Sequence, residues 1–273
     1  MSVKEFAQRM TQHGDLTLVV PAAGRGVRFF GKGRSAVPKA MIYLRECPLL
    51  EHVLMAGSRL RLAEIVVVIN SAGGIIREHF GDWWRGHRLR YVVQERPEGL
   101  AQAVSLAQPF VADRMLVLNG DEIIAGGRLP DIQRYAEQKA ADGIVGYLTD
   151  ADTDRISRAY GLTVDSSQRV ERLVEKPSLP WNNFLGIGVW LLGKEYFDCY
   201  NRTAINARRG ERDFVAVVQQ MIREGSNIYG MDLEAGFVNV NTPEDLIEAE
   251  NLLDRISSPR VETALVASGT FPI

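Results

Sequence analysis

Short apolar runs alternate with helical patterns along most of the chain. The runs are rich in β-branched and aliphatic residues, and those at 16–20, 65–69, 88–94, 115–118 and 144–148 are too short for helices. Between them, apolar residues recur at helical spacing around 49–56, 75–84, 100–107 and 129–140. Buried strands that alternate with helices are typical of parallel sheets with both faces covered. The pattern therefore predicts an α/β fold, with a mostly parallel central sheet flanked by helices.

The pattern of apolar and polar residues changes in the second half of the chain. Residues 160–175 alternate apolar and polar side chains, as half-exposed antiparallel strands do, and a buried run follows at 184–192. Two helical patterns, 212–223 and 243–253, bracket a predicted pair of short strands at 227–231 and 236–240. We expect a small antiparallel subregion beside the main sheet. Because no linker divides the chain, we predict one domain over residues 1–256 and a peripheral C-terminal tail, 257–273.

Composition and charge exclude several classes of protein. A net charge of −2 over 273 residues argues against non-specific nucleic-acid binding, and no apolar run approaches the length of a membrane span. Cys47 and Cys199 lie far apart and form no C-x-x-C pair, which fits a reducing compartment. We therefore predict a cytoplasmic protein whose partners are neither nucleic acid nor membrane, and a homo-oligomer stays open.

A cationic, glycine-rich loop follows the first strand. It begins after Pro21 with Ala22, Ala23, Gly24 and Gly26, and no acidic residue occurs between Asp15 and Glu46. The same interval holds basic residues at 25, 28, 32, 34, 39 and 45. Glycines let backbone N–H groups turn toward an anion, and basic side chains supply the countercharge. The loop therefore predicts a phosphate site.

Neither of the two familiar phosphate motifs fits this loop. The dinucleotide pattern G-x-G-x-x-G fails because Phe29 stands where the third glycine belongs. Residues 26–32 match the P-loop pattern G-x-x-x-x-G-K, but Gly33 replaces the Ser or Thr whose hydroxyl would bind magnesium. A P-loop NTPase is therefore a poor interpretation, and the near-misses favour a different phosphate-binding loop.

The segment from Pro21 to Phe29, with Pro38-Lys39 after it, resembles the signature of the sugar-1-phosphate nucleotidylyltransferases, such as the glucose-1-phosphate thymidylyl- and uridylyltransferases. The resemblance implies a Rossmann-like fold of the nucleotide-diphospho-sugar transferase type. It also implies an enzyme that transfers a nucleotidyl group from a nucleoside triphosphate to a sugar 1-phosphate, with Mg²⁺ as cofactor. The products would be a nucleotide sugar and pyrophosphate.

Two positions are candidate ligands of Mg²⁺. Asp121 ends an apolar strand after a glycine, which puts a carboxylate at the carboxyl edge of the sheet, and a hard oxygen ligand there suits magnesium. The resemblance implies the same role for Asp121. It implies a second ligand at Asn239, where many relatives have the Asp of a D-x-G-T segment. A neutral ligand leaves this metal site one negative charge short.

Residues 94–103 resemble the Q-x-x-P-x-G-L-A-Q-A segment of the thymidylyl- and uridylyltransferases. The resemblance assigns Gln94, Pro97 and Gly99 to nucleotide binding, together with Ala22, Ala23, Gly24 and Gly26 of the loop. A side-chain amide offers a donor and an acceptor, which suits uracil or thymine. UTP or dTTP is therefore favoured over CTP, although the sequence does not fix the base.

The acceptor site is implied by three further segments. Glu175-Lys176-Pro177 resembles the family element whose Lys binds the sugar phosphate and whose Glu binds sugar hydroxyls. Tyr160-Gly161 and Asn182-Asn183 resemble its sugar-contacting segments. The expected acceptor residues are Gly161, Glu175, Lys176, Asn182 and Asn183.

The expected reaction is an in-line attack of the acceptor phosphate on the α-phosphorus, which depends on positioning and charge. Arg28 would neutralise the departing pyrophosphate, while Lys39 and the magnesium on Asp121 would stabilise the charge that develops at the α-phosphoryl group. Two alternatives stay open. Trp181 keeps open a cytidylyltransferase for phosphocholine or another small phosphorylated or phosphonate acceptor, and Asn239 keeps open a non-catalytic, nucleotide-binding regulatory subunit.

Overall fold

The computed structural model describes residues 16–149 and 152–257, apart from 25, 27, 28 and 30–36. The strands are β1 (Leu16–Pro21), β2 (Tyr43–Leu44), β3 (Cys47–Pro48), β4 (Leu62–Asn70), β5 (Trp83–Trp84), β6 (His87–Gln94), β7 (Arg114–Leu118), β8 (Glu122–Ala125), β9 (Gly143–Thr149), β10 (Tyr160–Val164), β11 (Val170–Glu175), β12 (Phe184–Gly193), β13 (Ile228–Asp232) and β14 (Gly236–Asn239). The α-helices are α1 (Leu49–Gly57), α2 (Gly74–Phe80), α3 (Gly99–Ser105), α4 (Ile132–Lys139), α5 (Thr153–Arg158), α6 (Glu195–Arg202), α7 (Phe214–Arg223) and α8 (Pro243–Ser257).

Ten strands form the central sheet, in the order β11-β10-β12-β7-β1-β4-β6-β5, with β9 and β13 attached through β12. The strands β7, β1, β4 and β6 are mutually parallel, as their apolar runs predict. β1 and β4 are buried over nearly their whole length because helices cover both faces. The predicted α/β fold is confirmed.

The apolar core lies in two layers, one on each face of the sheet. Side chains of α1, α2, α4 and α5 pack on one face, and those of α3, α6 and α7 pack on the other. A third, smaller cluster joins α8 to β8 and β14. That cluster fixes the C-terminal part of the described chain against the strand pair that begins at Glu122.

The antiparallel subregion lies where the alternating pattern predicts it. β10 pairs with β11 and with β12, and β12 also runs antiparallel to β7 and β9. Tyr160 on β10 lies over Gly186 and donates hydrogen bonds to the carbonyls of Gly146 and Ile187, both at 3.0 Å. Any side chain at position 186 would collide with the Tyr160 ring, so the glycine there is a packing requirement.

Two predictions of local structure are wrong. The helix expected over 75–84 ends at Phe80, because Gly81 adopts φ +65°, and Trp83–Trp84 instead pairs antiparallel with β6. The segments expected as one strand pair do not pair with each other. β13 runs parallel to β9, and β14 pairs with β8.

None of the helices in the described part of the chain combines the length and the apolar character that a membrane span requires.

Candidate active site

Four parallel strands end at one edge of the sheet. They are β1, β4, β6 and β7, whose last residues are Pro21, Asn70, Gln94 and Leu118. The chain proceeds from β1 to β4 and β6 on one side and returns to β7 on the other, so the connections diverge between β1 and β7. Open α/β sheets bind ligands in the crevice at such a point.

Backbone contacts hold the loop after β1 at this edge. The Ala22 N–H donates to β4, and the Ala23 carbonyl accepts from Nδ2 of Asn70 at 3.0 Å. The Gly24 carbonyl accepts from the backbone N–H of Lys39 at 3.3 Å. Lys39 and the start of the loop are therefore neighbours, although the chain between them is long.

Two glycines of the loop have distinct backbone roles. Gly24 is exposed, and a Cβ there would meet nothing, so its backbone is open to a ligand. Gly26 has φ +61°, a conformation that side chains disfavour. Arg28, the predicted partner of pyrophosphate, lies outside the described residues, and its role stays a prediction.

Lys39 binds two oxygen atoms at the mouth of the crevice. Its side chain is only 7% exposed, and its Nζ lies 2.7 Å from Oδ2 of Asp121 and donates at 3.0 Å to Oδ1 of Asn241. A buried ammonium needs such partners to offset its lost hydration. The structure thus brings together two residues that the sequence assigns to catalysis and adds a third, Asn241, that it does not.

Asp121 is positioned by close contact between two strand ends. The backbone N–H of Gly120 donates to the Pro21 carbonyl at 3.1 Å, and a Cβ at position 120 would lie 2.8 Å from that oxygen. Only glycine allows this approach. The Asp121 carbonyl in turn accepts from the N–H of Val240 at 3.0 Å, which links it to the segment after β14.

A directed chain of hydrogen bonds leads inward from Lys39. Asn241 accepts from Lys39 and donates through Nδ2 to Oδ1 of Asn239 at 2.7 Å. Asn239 donates through its own Nδ2 to Oε1 of Glu122 at 3.3 Å. Each amide accepts on the side of the cation and donates toward the carboxylate, so all the dipoles point the same way.

Glu122 closes this chain inside the protein. It is 6% exposed and accepts two further hydrogen bonds, from Nδ2 of Asn119 at 2.9 Å and from the N–H of Gly188 at 2.7 Å. A side chain at 188 would collide with both Asn119 and Glu122. Burial, reinforced by the nearby Asp121 carboxylate, raises the pKa of Glu122 to about 7.

This raised pKa makes the stability of the protein depend on pH. The folded-state pKa of Glu122 is about 7 and its ordinary value is 4.5, so folding favours the protonated form. Its contribution to the free energy of unfolding is complete below 4.5 and is lost as the pH rises through about 7. At about 1.4 kcal/mol for each pH unit, the loss is roughly 3 kcal/mol. Urea unfolding across this range should reveal it, and Glu122→Gln should lack this component. Parallel curves for the two proteins would contradict the prediction.

The predicted base-reading segment lies at the end of β6. Gln94 is 7% exposed, and its Nε2 donates to the Gly99 carbonyl at 3.1 Å and to Oε1 of Gln102 at 2.6 Å. Gly99 begins α3 with φ +86°, and the Glu211 carboxylate lies where its Cβ would be. Pro97 is exposed beside them. The three predicted residues are therefore neighbours, and both N–H groups of Gln94 are engaged within the protein.

The predicted acceptor residues fall into two groups. Glu175 ends β11 and Lys176 follows it, with Nζ of Lys176 3.5 Å from Oε1 of Glu175. Burial raises the pKa of Glu175. Asn182 instead bonds backbone groups, donating to the Leu162 carbonyl on β10 and accepting from the N–H of Phe184, while Asn183 is exposed. Gly161 is buried, and its face is covered by Trp181 and Pro177.

Arg209 lies beside the predicted acceptor residues Glu175 and Lys176, although no sequence motif indicates it. Its Nη1 lies 3.6 Å from Oε1 of Glu175, the same oxygen that Lys176 approaches, and its Nη2 lies 2.5 Å from Oδ1 of Asp213. Two cations thus converge on one carboxylate oxygen. Such a pair can hold a phosphate between them. Arg209 precedes a glycine in an Arg-rich turn, and that was the only signal in the sequence.

The residues at this edge suit a hard divalent cation. Asp121, Asn239 and Asn241 supply carboxylate and amide oxygens, the donors that Mg²⁺ prefers. The Lys39 ammonium already holds the oxygens of Asp121 and Asn241, so a cation fits between them. Within the described ranges, no three His, Cys, Asp or Glu residues gather in a cluster suited to a metal.

Fold and site together define an α/β protein with a glycine-rich loop, Lys39 and Asp121 at the carboxyl edge of its sheet. The sequence model of the nucleotidyl transferase family matches residues 18–255. The chain belongs to this family, as its motifs predict.

Its relatives are distant. The chain is 26% identical over 245 residues to the UTP–glucose-1-phosphate uridylyltransferase AglF of Haloferax volcanii, a match of 89% of this chain and 99% of the relative. It is 26% identical over 257 residues to the bifunctional protein GlmU of Methanocaldococcus jannaschii, where 92% of this chain spans only 58% of the relative. A UDP-glucose pyrophosphorylase complexed with UDP-glucose has the same fold, with a TM-score of 0.78 at 17% identity over 88% of this chain and 98% of that one.

Proposed function

We propose that the chain transfers a nucleotidyl group from a pyrimidine nucleoside triphosphate to a sugar 1-phosphate and releases pyrophosphate, with Mg²⁺. The observation that carries the proposal is the contact between Lys39 and Asp121 at the crevice between β1 and β7. It puts a cation and a carboxylate beside a loop whose backbone is open to phosphate. The names of the relatives, uridylyltransferase among them, support the choice of reaction and base.

In the proposed reaction, an oxygen of the acceptor phosphate forms a bond to the α-phosphorus while the bond to the β-phosphate oxygen breaks. Pyrophosphate takes the electron pair, and no proton moves because the attacking oxygen is already anionic. The protein therefore has two tasks: to position the two substrates and to neutralise the charge on their phosphates. Magnesium, when bound, would supply positive charge at the phosphates.

The roles follow from where each side chain lies. The backbone around Gly24 would receive the triphosphate, and Lys39 would turn its ammonium from Asp121 to the α-phosphoryl group. Asp121 and the amide oxygen of Asn239 would hold the metal. Lys176 and Arg209 would orient the acceptor phosphate from the side of Glu175. Arg28 keeps its predicted role at the departing pyrophosphate.

The phosphocholine alternative gains no support from the contacts of Trp181. Its indole N–H donates to Thr163 at 2.9 Å, and the Arg172 guanidinium lies over its ring at 4.8 Å from the centroid. A tryptophan already stacked under a cation is a poor receptor for a second one.

The location of the protein is a further part of the proposal. Cys47 and Cys199 form no disulfide with each other, which is consistent with the proposed cytoplasmic location.

Pyrophosphate release tests the proposal. The protein is incubated with Mg²⁺, each of UTP, dTTP, CTP, ATP and GTP in turn, and a panel of sugar 1-phosphates. We expect release with UTP or dTTP, dependent on the acceptor and abolished by EDTA. The matched control replaces each sugar 1-phosphate with the unphosphorylated sugar. Release with phosphocholine and CTP alone would favour the other acceptor class, and no release with any pair would favour the regulatory interpretation.

A further inference from the structure

The proposed metal site at the edge of the sheet is formed by Asp121, Asn239 and Asn241 and is called the metal edge below. It carries less negative charge than a site with two carboxylate ligands. Asp121 contributes one carboxylate, and Asn239 and Asn241 are neutral. Directly behind Asn239, however, lies Glu122. The two residues are paired opposite each other in the antiparallel register of β8 and β14, and Nδ2 of Asn239 donates to Oε1 of Glu122 at 3.3 Å.

Three N–H donors bond to Glu122: the amide groups of Asn119 and Asn239 converge on Oε1, and the backbone of Gly188 donates to Oε2. These hydrogen bonds favour the ionised form of the carboxyl group, while its burial opposes ionisation. A negative charge at Glu122 polarises the amide of Asn239, which makes its Oδ1 a stronger donor to a cation.

The same geometry explains why residue 239 is neutral. An aspartate at 239 would face Glu122 across the strand pair, and like charges directly opposite each other destabilise a sheet. With Glu122 6% exposed, solvent would screen that repulsion poorly. A carboxylate at 239 and a carboxylate at 122 are therefore alternatives. Between them, positions 122 and 239 hold a single carboxyl group, that of Glu122, and it lies behind the edge.

We propose that Glu122 is a positioning residue that supplies, through Asn239, the negative charge that the metal edge lacks. This inference depends on one part of the proposed function, namely that the site binds a divalent cation. The alternative is a purely structural role, in which Glu122 serves only to bond the backbone of Gly188 in β12. The two roles predict different metal affinities when the carboxylate is moved from position 122 to position 239.

The experiment compares Glu122→Gln, Asn239→Asp and the double variant with the unaltered chain. The first readout is the affinity for Mn²⁺ alone in mildly alkaline buffer, measured by electron paramagnetic resonance. Glu122→Gln should weaken binding by about 10-fold or more, the usual cost of removing a partner of a metal ligand. Adding Asn239→Asp should restore the affinity to within about 3-fold, because the charge now lies on the ligand itself. Glu244→Gln, which removes an exposed carboxylate in the first turn of α8, is the matched control and should leave the affinity unchanged.

The second readout is urea unfolding without any metal. Asn239→Asp should destabilise the protein when Glu122 is present and should cost little when Gln stands at 122, because only the first pairing opposes two carboxylates. The proposal is overturned if Glu122→Gln retains the Mn²⁺ affinity, or if the double variant stays weak in binding or fails to fold. Neither readout uses turnover, so a protein that releases no pyrophosphate would refute the proposed reaction and leave this test intact.

Discussion

Asp121→Asn is expected to lower pyrophosphate release by on the order of 10²–10³-fold, as the loss of other preorganised charges in active sites does. The substitution preserves shape and removes the negative charge that holds both Lys39 and the proposed metal. The affinity for Mn²⁺ should fall in parallel. Steady-state kinetics with the best substrate pair measure the first effect, and Mn²⁺ titration measures the second.

The same variant should also be less stable, by about 2 kcal/mol in urea, because Lys39 is left buried with only the oxygen of Asn241. Asp82→Asn, which removes an exposed partner of Arg77, is the matched control and should change neither turnover nor stability appreciably. If a folded Asp121→Asn protein retained turnover within a few-fold of the unaltered chain, Asp121 would not be the metal ligand.

Lys39→Met is expected to lower turnover to a similar degree but to have the opposite effect on metal binding. Methionine keeps the length and the apolar stem of the side chain while removing the cation that competes for Asp121. Mn²⁺ should therefore bind this variant more tightly than it binds the unaltered chain. Stability should change by less than about 1 kcal/mol, because the Asp121 side chain is 35% exposed and water can solvate it.

Lys39→Arg is the conservative control for this prediction. It keeps the charge but needs more room than the buried turn around Lys39 provides, so part of the activity should return. Full activity in Lys39→Met would show that the ammonium does not contact the reacting phosphate. Weaker Mn²⁺ binding in Lys39→Met would show that Lys39 and the metal do not share Asp121.

The sequence predicts the parts of this site that lie next to strands with a clear pattern. The loop after β1 and the Asp after β7 are visible because a buried strand leads directly into each. Parallel strands all end at the same edge of a sheet. A residue that directly follows such a strand in the sequence therefore lies near residues that follow the other strands, even when they are distant along the chain. Asp121 and the loop that begins after β1 lie at the same edge for this reason, and the contact between Gly24 and Lys39 brings the lysine there.

Contacts that depend on pairing between distant strands do not follow from the local sequence pattern. Glu122 looks like the first residue of a short strand, and only the register of β8 against β14 places it behind Asn239. Asn241 lies just before a helix start in the sequence, and its contact with Lys39 depends on that same pairing. The strands after Asn227 look like a hairpin because a short connection joins them, yet each finds its partner elsewhere. Short segments have many near-equal pairings, and tertiary packing chooses among them.

The pairing of β8 with β14 has a consequence for the synthesis of the protein. Asp121 is held by Val240, and Lys39 by Asn241, so the edge that carries the charges is assembled from both halves of the chain. A nascent chain folds from its N-terminus as it leaves the ribosome, at about 5–20 residues per second. The sheet around β1, β4 and β6 can therefore form while the C-terminal segment is still being translated. Lys39 acquires its full set of partners only after β14 has emerged, so the proposed metal site should be completed late in translation.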